Sequence, residues 1–243
     1  MKKLLFLVCA MLCIATTSSA KFKPKPFEWK AEYRGEVNIG GAMSGTLYFP
    51  PQEEIYLQGG LKTSLSRPLI ETVHGVMLSD YLFVGAGIGI QYYAGEFDDV
   101  ANEIYIKEGT HRWNMLTIPM FVNIKGFFPI NDNWKPFMTL SLGGTAVACS
   151  NATFTDDDTY YNEEYDALDG NKTQHQARGG FYCDWGVGVE YKRWSLGIGL
   201  QHQRYKQTDL YTNYDAYYTT SESSFYKLKG YSHAFYVKLG VSF

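Results

Sequence analysis

From Glu28 to the last residue, apolar and polar positions alternate with a period of two, in segments of about 10 to 14 residues rich in glycine and aromatics. These segments cover 28–41, 68–78, 81–94, 113–127, 136–149, 179–191, 194–208 and 230–243. The pattern predicts strands rather than helices. Beyond Lys21 no apolar run reaches the roughly 18 residues of a membrane-spanning helix. Connections alternate in length. Ser79-Asp80, Lys192-Arg193 and the stretch FPINDNWK are short, and the other four connections run about 18 to 29 residues.

Tight turns at one end and long loops at the other, on an even number of antiparallel strands, predict an all-β fold. The expected form is an eight-stranded antiparallel transmembrane up-and-down β-barrel, with both termini on the short-turn, periplasmic side. In 81–94, Leu82, Val84, Ala86, Ile88 and Ile90 alternate with Phe83, Gly85, Gly87, Gly89 and Gln91; in 194–208, Leu196, Ile198 and Leu200 alternate with Ser195, Gly197, Gly199, Gln201 and Gln203. One face is aliphatic and the other glycine-rich. An eight-stranded barrel has an interior just wide enough to be filled by side chains, so bulky polar groups on some strands call for glycine on others.

The bulky polar groups come from 28–41, where Glu28, Lys30, Glu32, Arg34, Glu36 and Asn38 share a face. Lys125, Asp184, Glu190 and Lys238 fall on the corresponding faces of other segments, and Glu71 is a further candidate on a less regular one. Unpaired buried charges are costly, so mixed signs predict mutual neutralisation inside the lumen. A soluble barrel with this face outermost is the alternative, and it leaves the leader and the terminal Phe243 unexplained. Trp29, Tyr191, Trp194 and Phe243 are expected at the periplasmic rim, and Tyr92, Trp113, Phe181 and Tyr231 at the outer one.

The opening MKKLLFLVCAMLCIATTSSA has a basic start, an apolar stretch and small residues at Ser18 and Ala20, the pattern of a secretory signal peptide. The expected organisation is therefore a signal peptide over 1–20 and one barrel domain over 21–243. Loss of Lys2 and Lys3 makes the formal charge of −3 more negative by two, which gives no reason to expect nucleic acid as a partner. Of the four cysteines, Cys149 and Cys183 lie outside the leader. The alternation turns Cys149 inward and Cys183 outward, an arrangement that does not favour a disulfide.

The stretches HGVMLSDYLFVGAGIGIQYY and MLTIPMFVNIKGFF and the closing AFYVKLGVSF resemble the small outer-membrane β-barrel proteins of Bacteroidota, a porin-like family similar in architecture to OmpA and OmpX barrels. The resemblance implies a cell outer membrane location and outer-membrane lipid as surroundings. It also implies that Tyr236, Leu239, Val241 and Phe243 form the C-terminal signal read by barrel-assembly machinery.

Catalytic signatures are missing: there is no GxSxG, HExxH, CxxC or P-loop pattern, and GAGIG lies mid-strand. No catalytic, cofactor-binding or metal residues are expected, and the chain is read as non-enzymatic. The competing functions are a narrow diffusion channel and a lipid A-modifying barrel in which His202 and His233, with Ser232, supply a base beside a nucleophile. Asp156, Asp157, Asp158, Glu163, Glu164, Asp166 and Asp169 crowd one loop, read as a solvated acidic loop rather than a calcium site. The tyrosine- and serine-rich stretch 209–229 suits an adaptable surface for an unidentified extracellular ligand. The resulting expectation is a structural or surface-interaction role through the external loops.

Overall fold

The computed structural model of the chain describes residues 28–49, 61–97, 109–156, 172–214 and 221–243. The leader falls outside the described residues. Eight strands follow one another: β1 Glu32–Phe49, β2 Leu61–Ser79, β3 Leu82–Phe97, β4 Gly109–Phe127, β5 Trp134–Asp156, β6 Lys172–Tyr191, β7 Trp194–Tyr214 and β8 Ser221–Ser242. Each pairs antiparallel with its neighbours in sequence, and β1 pairs with β8 to close the barrel. Closure leaves no unpaired sheet edge, which a chain in hydrocarbon requires.

At the tight-turn end the strands stop within a few residues of the expected limits. At the other end they run further. Tyr214 of β7 still faces Ser221 of β8, inside the stretch read from the sequence as a loop. A ladder needs only backbone donors and acceptors. Past the membrane neither face has to be apolar, so the strand continues where the alternation fades. The crowded acidic loop is affected in the same way: Asp156 ends β5, and Asp157, Asp158, Glu163, Glu164, Asp166 and Asp169 fall outside the described residues. The β6–β7 turn places Lys192 at φ 57°, the left-handed conformation that two-residue hairpins demand.

The outward face is apolar. Ile39, Ile88, Ile90, Met120, Val122, Met138, Leu196 and Leu239 are all exposed, Val122 at 54% and Leu196 at 50%. A continuous belt of this kind is far larger than the apolar patches soluble monomers expose. Trp29, Tyr33, Trp134, Tyr191, Trp194 and Phe243 lie exposed at the tight-turn end, while Tyr92 and Phe181 lie nearer the other. This is the aromatic-flanked surface of a barrel solvated by lipid. The side chain of Trp113 lies outside the described residues.

The inward face is packed. Val73, Met77, Phe83, Phe121, Phe127, Phe137 and Tyr182 form an apolar cluster along the β2–β6 wall. Glycines of β6 and β7 make room for the rings that reach across from other strands. A Cβ at Gly199 would come within 2.5 Å of Tyr236 Cζ, and Gly188 is filled in the same way by the Phe137 ring. The glycine stripes are therefore sockets for aromatic side chains.

Candidate functional site: a charge-balanced lumen

Alternation carries Arg34, Glu36 and Asn38 of β1 inward, and the neighbouring strands do the same for Glu71, Lys125, Asp184, Glu190 and Lys238. They assemble into two clusters stacked along the barrel axis. Near the tight-turn end Arg34 forks onto Glu190, with Nη1 to Oε1 at 3.3 Å and a closer Nη2–Oε2 contact, and donates from Nε to Glu36 Oε1 at 2.9 Å. Lys125 donates to the other oxygen of Glu36. Aromatic faces line this cluster: Arg34 Cζ lies 5.0 Å from the Phe127 ring centre and Lys125 Nζ 4.7 Å from that of Phe137.

The second cluster is centred on Lys238. Its Nζ lies 3.0 Å from Glu71 Oε1 and 2.5 Å from Asp184 Oδ2. Asn38 donates to Glu71 at 3.3 Å, and Tyr236 donates to the free oxygen of Asp184 at 2.8 Å. Tyr182 also donates to Asp184, at 3.3 Å, and accepts from Gln201 at 3.0 Å. Glu71 and Asp184 thus each have a cation and at least one further donor, which buried charge requires.

Above this lies Arg67, fully buried, which donates to Gln201 at 2.5 Å and to Ser232 and stacks 4.2 Å over the Tyr93 ring. Tyr93 bonds Gln203, and Gln203 donates to Thr145 at 2.5 Å. Arg67 precedes the segment read from the sequence as a strand, so it was not among the candidate lumen residues. The Arg67, Leu69, Glu71, Val73 alternation was the signal that could have found it. With Arg67 included, four cations (Arg34, Arg67, Lys125, Lys238) balance four carboxylates (Glu36, Glu71, Asp184, Glu190) among the described residues of the lumen. The space left between the two clusters is a cavity of about 30 Å³, lined by Glu36, Glu71, Asn123, Asp184 and Lys238 among others, room for about one water.

Glu28, Lys30 and Glu32 do not enter the lumen, which corrects their sequence assignment. They are exposed, and Lys30 pairs with Asp80 at 2.8 Å and Glu32 at 3.5 Å at the rim. The strand begins at Glu32, so the first three alternating polar residues stand before or at the mouth of the barrel. The hydrogen bond from Lys30 to Asp80 holds the ammonium above its ordinary pKa. On the terminal strand Leu239, Val241 and Phe243 face outward, whereas Tyr236 faces inward onto Asp184.

Cys149 also departs from expectation. An irregularity between Leu116 and Thr117 pairs Leu116 with Cys149 and Thr117 with Val147, so Ala148 is an extra residue and Cys149 is exposed. Both it and Cys183 are free thiols. His202 and His233 face outward as neighbours, Nδ1 to Nδ1 at 3.2 Å. Ser232, adjacent in sequence to His233, points the other way onto Arg67. The two-residue period separates the histidine pair from that hydroxyl.

No family model and no curated protein matches this chain. Solved structures do. The outer membrane protease OmpT from Escherichia coli aligns over 93% of this chain and 100% of its own, at 10% identity and a TM-score of 0.40. Neisserial surface protein A aligns over 88% and 99%, at 11% and 0.38. Ail of Yersinia pestis, solved with the heparin analogue sucrose octasulfate, aligns over 87% and 99%, at 8% and 0.34. These values describe likeness of architecture, and no activity or ligand passes from them to this chain. They do remove one expectation. The chain was read as non-enzymatic, yet a protease stands among the similar barrels; the scaffold does not separate catalysts from non-catalysts, and that expectation is withdrawn.

Proposed function

We propose that this integral outer-membrane barrel is a closed scaffold that presents its outer-end connections for interaction at the cell surface. The observation that supports this reading is the filled, charge-balanced lumen with a residual cavity of about 30 Å³. A diffusion pore needs a continuous water path, and here Arg67, Tyr236 and Lys238 stand across it. On this reading both termini are periplasmic, the leader is cleaved after Ala20, and the outward Leu239, Val241 and Phe243 are the part of the last strand that assembly machinery reads. The porin-like label of the Bacteroidota proteins it resembles then stands for ancestry rather than conduction.

The test is planar-bilayer recording of the full barrel beside surface-binding assays of a variant whose 157–171 connection is shortened. The reading expects no reproducible unitary steps, and a loss of cell-surface binding in the shortened variant while heat-modifiable gel mobility is retained. Reproducible wild-type steps would favour the narrow channel.

A further inference from the structure

Above the apolar belt, one sector of the outer surface is strongly basic. Arg178 of β6 lies opposite Lys206 of β7, and Lys206 lies opposite Lys229 of β8, so three exposed cations form one row across three strands. Arg204, also exposed, stands one outward position lower on β7, opposite Tyr231. Like charges directly opposite on neighbouring strands repel and destabilise the ladder. Lys229 has an interaction of its own within the chain, but among the described residues the outward face of β6–β8 carries no carboxylate. The arrangement is complementary to an external anion.

Its height decides what kind of anion. Lys206 is about 12 residues from Trp194 at the tight turn; at roughly 3.4 Å per residue and a tilt near 40° this raises it about 30 Å. The apolar belt of such barrels is only about 25 Å tall. The row therefore lies at headgroup level, directly above hydrocarbon. Just below it, the His202 and His233 rings meet at a tilt of 36° with centres 4.6 Å apart, Tyr231 lies 5.1 Å from His233, and Phe181 lies 6.4 Å from His202. The order along the barrel is cations, then a ledge of rings with polar edges, then exposed Trp185. An occupant that satisfies all three carries phosphate, a ring-shaped polar body and acyl chains.

We infer that the outer face of β6–β8 is a binding site for a phosphate-bearing glycolipid of the outer leaflet, with Arg178, Arg204, Lys206 and Lys229 holding the phosphates and the His202–Tyr231–His233 ledge meeting the sugar. Arginine supplies the fork that suits phosphate, and lysine the point charge. The site rests on the proposed orientation, with periplasmic termini, for its assignment to the outer leaflet.

The test uses the barrel purified from outer membranes in neutral detergent. It is titrated with a bis-phosphorylated acylated glucosamine disaccharide, with the same lipid lacking phosphate, and with inorganic phosphate, bound lipid being read by native mass spectrometry. The phosphorylated lipid should bind at least tenfold tighter than its dephosphorylated counterpart. That preference should vanish in R178Q/R204Q/K206Q/K229Q and survive in the rim control K30Q/K192Q. Equal affinity for the two lipids, or complete competition by millimolar inorganic phosphate, would overturn the site. Should the fourfold variant fail to fold, Arg204→Gln and Lys206→Gln are made singly, and an unchanged preference in both overturns it as well. Orientation is read separately: an epitope inserted between residues 157 and 171 should be reached by antibody on intact cells, and an unreachable epitope overturns the leaflet assignment while the detergent titration still judges the site.

Discussion

Phe243 and Gly35 exchange both backbone hydrogen bonds, Gly35 N to Phe243 O at 2.9 Å and Phe243 N to Gly35 O at 3.0 Å, and the Phe243 ring covers the glycine. The last residue of the chain thus clasps the first strand at the seam where the barrel closes. A Cβ on residue 35 would fall 2.5 Å from the ring.

Gly35→Val should therefore push the ring off the seam, at the low end of the roughly 1–3 kcal/mol that overpacking costs, because the ring is exposed and can turn aside. Phe243→Ala, which removes the ring without a clash, should cost less at the same place. Urea unfolding of the detergent-solubilised barrel, followed by the heat-modifiable gel band, checks the order. A larger loss for Phe243→Ala than for Gly35→Val would mean that the ring matters for something besides covering Gly35.

The second cluster makes a sharper claim about paired charge. Asp184→Leu leaves Lys238 with Glu71 alone and Tyr236 without its acceptor, and breaking a buried pair in this way costs about 3–5 kcal/mol. Lys238→Met by itself strands both Glu71 and Asp184, whereas in the Asp184→Leu background it strands Glu71 only, so the two losses together should be smaller than their sum. A double-mutant cycle on unfolding free energy measures the coupling, and additive losses would refute it.

If side chains close the lumen, removing them should open it. Arg67→Ala combined with Tyr93→Ala and Tyr236→Ala deletes three large groups that are almost completely buried. Planar-bilayer recording should show small unitary steps in this variant and none in the wild type. Silence in both would place the barrier elsewhere, for example at Phe127 and Phe137.

At the rim, Lys30 is held above its ordinary pKa first by its hydrogen bond to Asp80. A raised lysine pKa contributes stability that is fully present at neutral pH and lost as the pH climbs past the ordinary value of about 10.4 and through the folded one. The pair is half exposed, so Asp80→Asn should cost no more than about 0.5 kcal/mol and less in high salt. Unfolding curves at pH 7 and 11 test this: the wild-type advantage should shrink at the higher pH.

The sequence carried much of the lumen but not its edges. Arg34, Glu36, Lys125, Asp184, Glu190 and Lys238 could be read as inward because each sits in a regular alternation. Glu28, Lys30 and Glu32 carry the same alternation yet stay outside. Period two says which face a residue takes, but not how far along its axis the barrel begins. Cys149 was misplaced for a related reason. A bulge adds one residue to one strand, and alternation counted along that strand alone cannot detect it.

What the sequence determined by itself was the choice of eight segments, their antiparallel order and the two faces of each, since these follow from local periodicity and from loop length. Tertiary structure alone decided register, and with it every partnership. Lys238 meets Asp184 from a strand two positions away around the barrel, and Arg67 meets Gln201 and Ser232 across 134 and 165 residues of chain. Such pairings depend on the shear with which the sheet closes, a property of all eight strands together that no single stretch encodes.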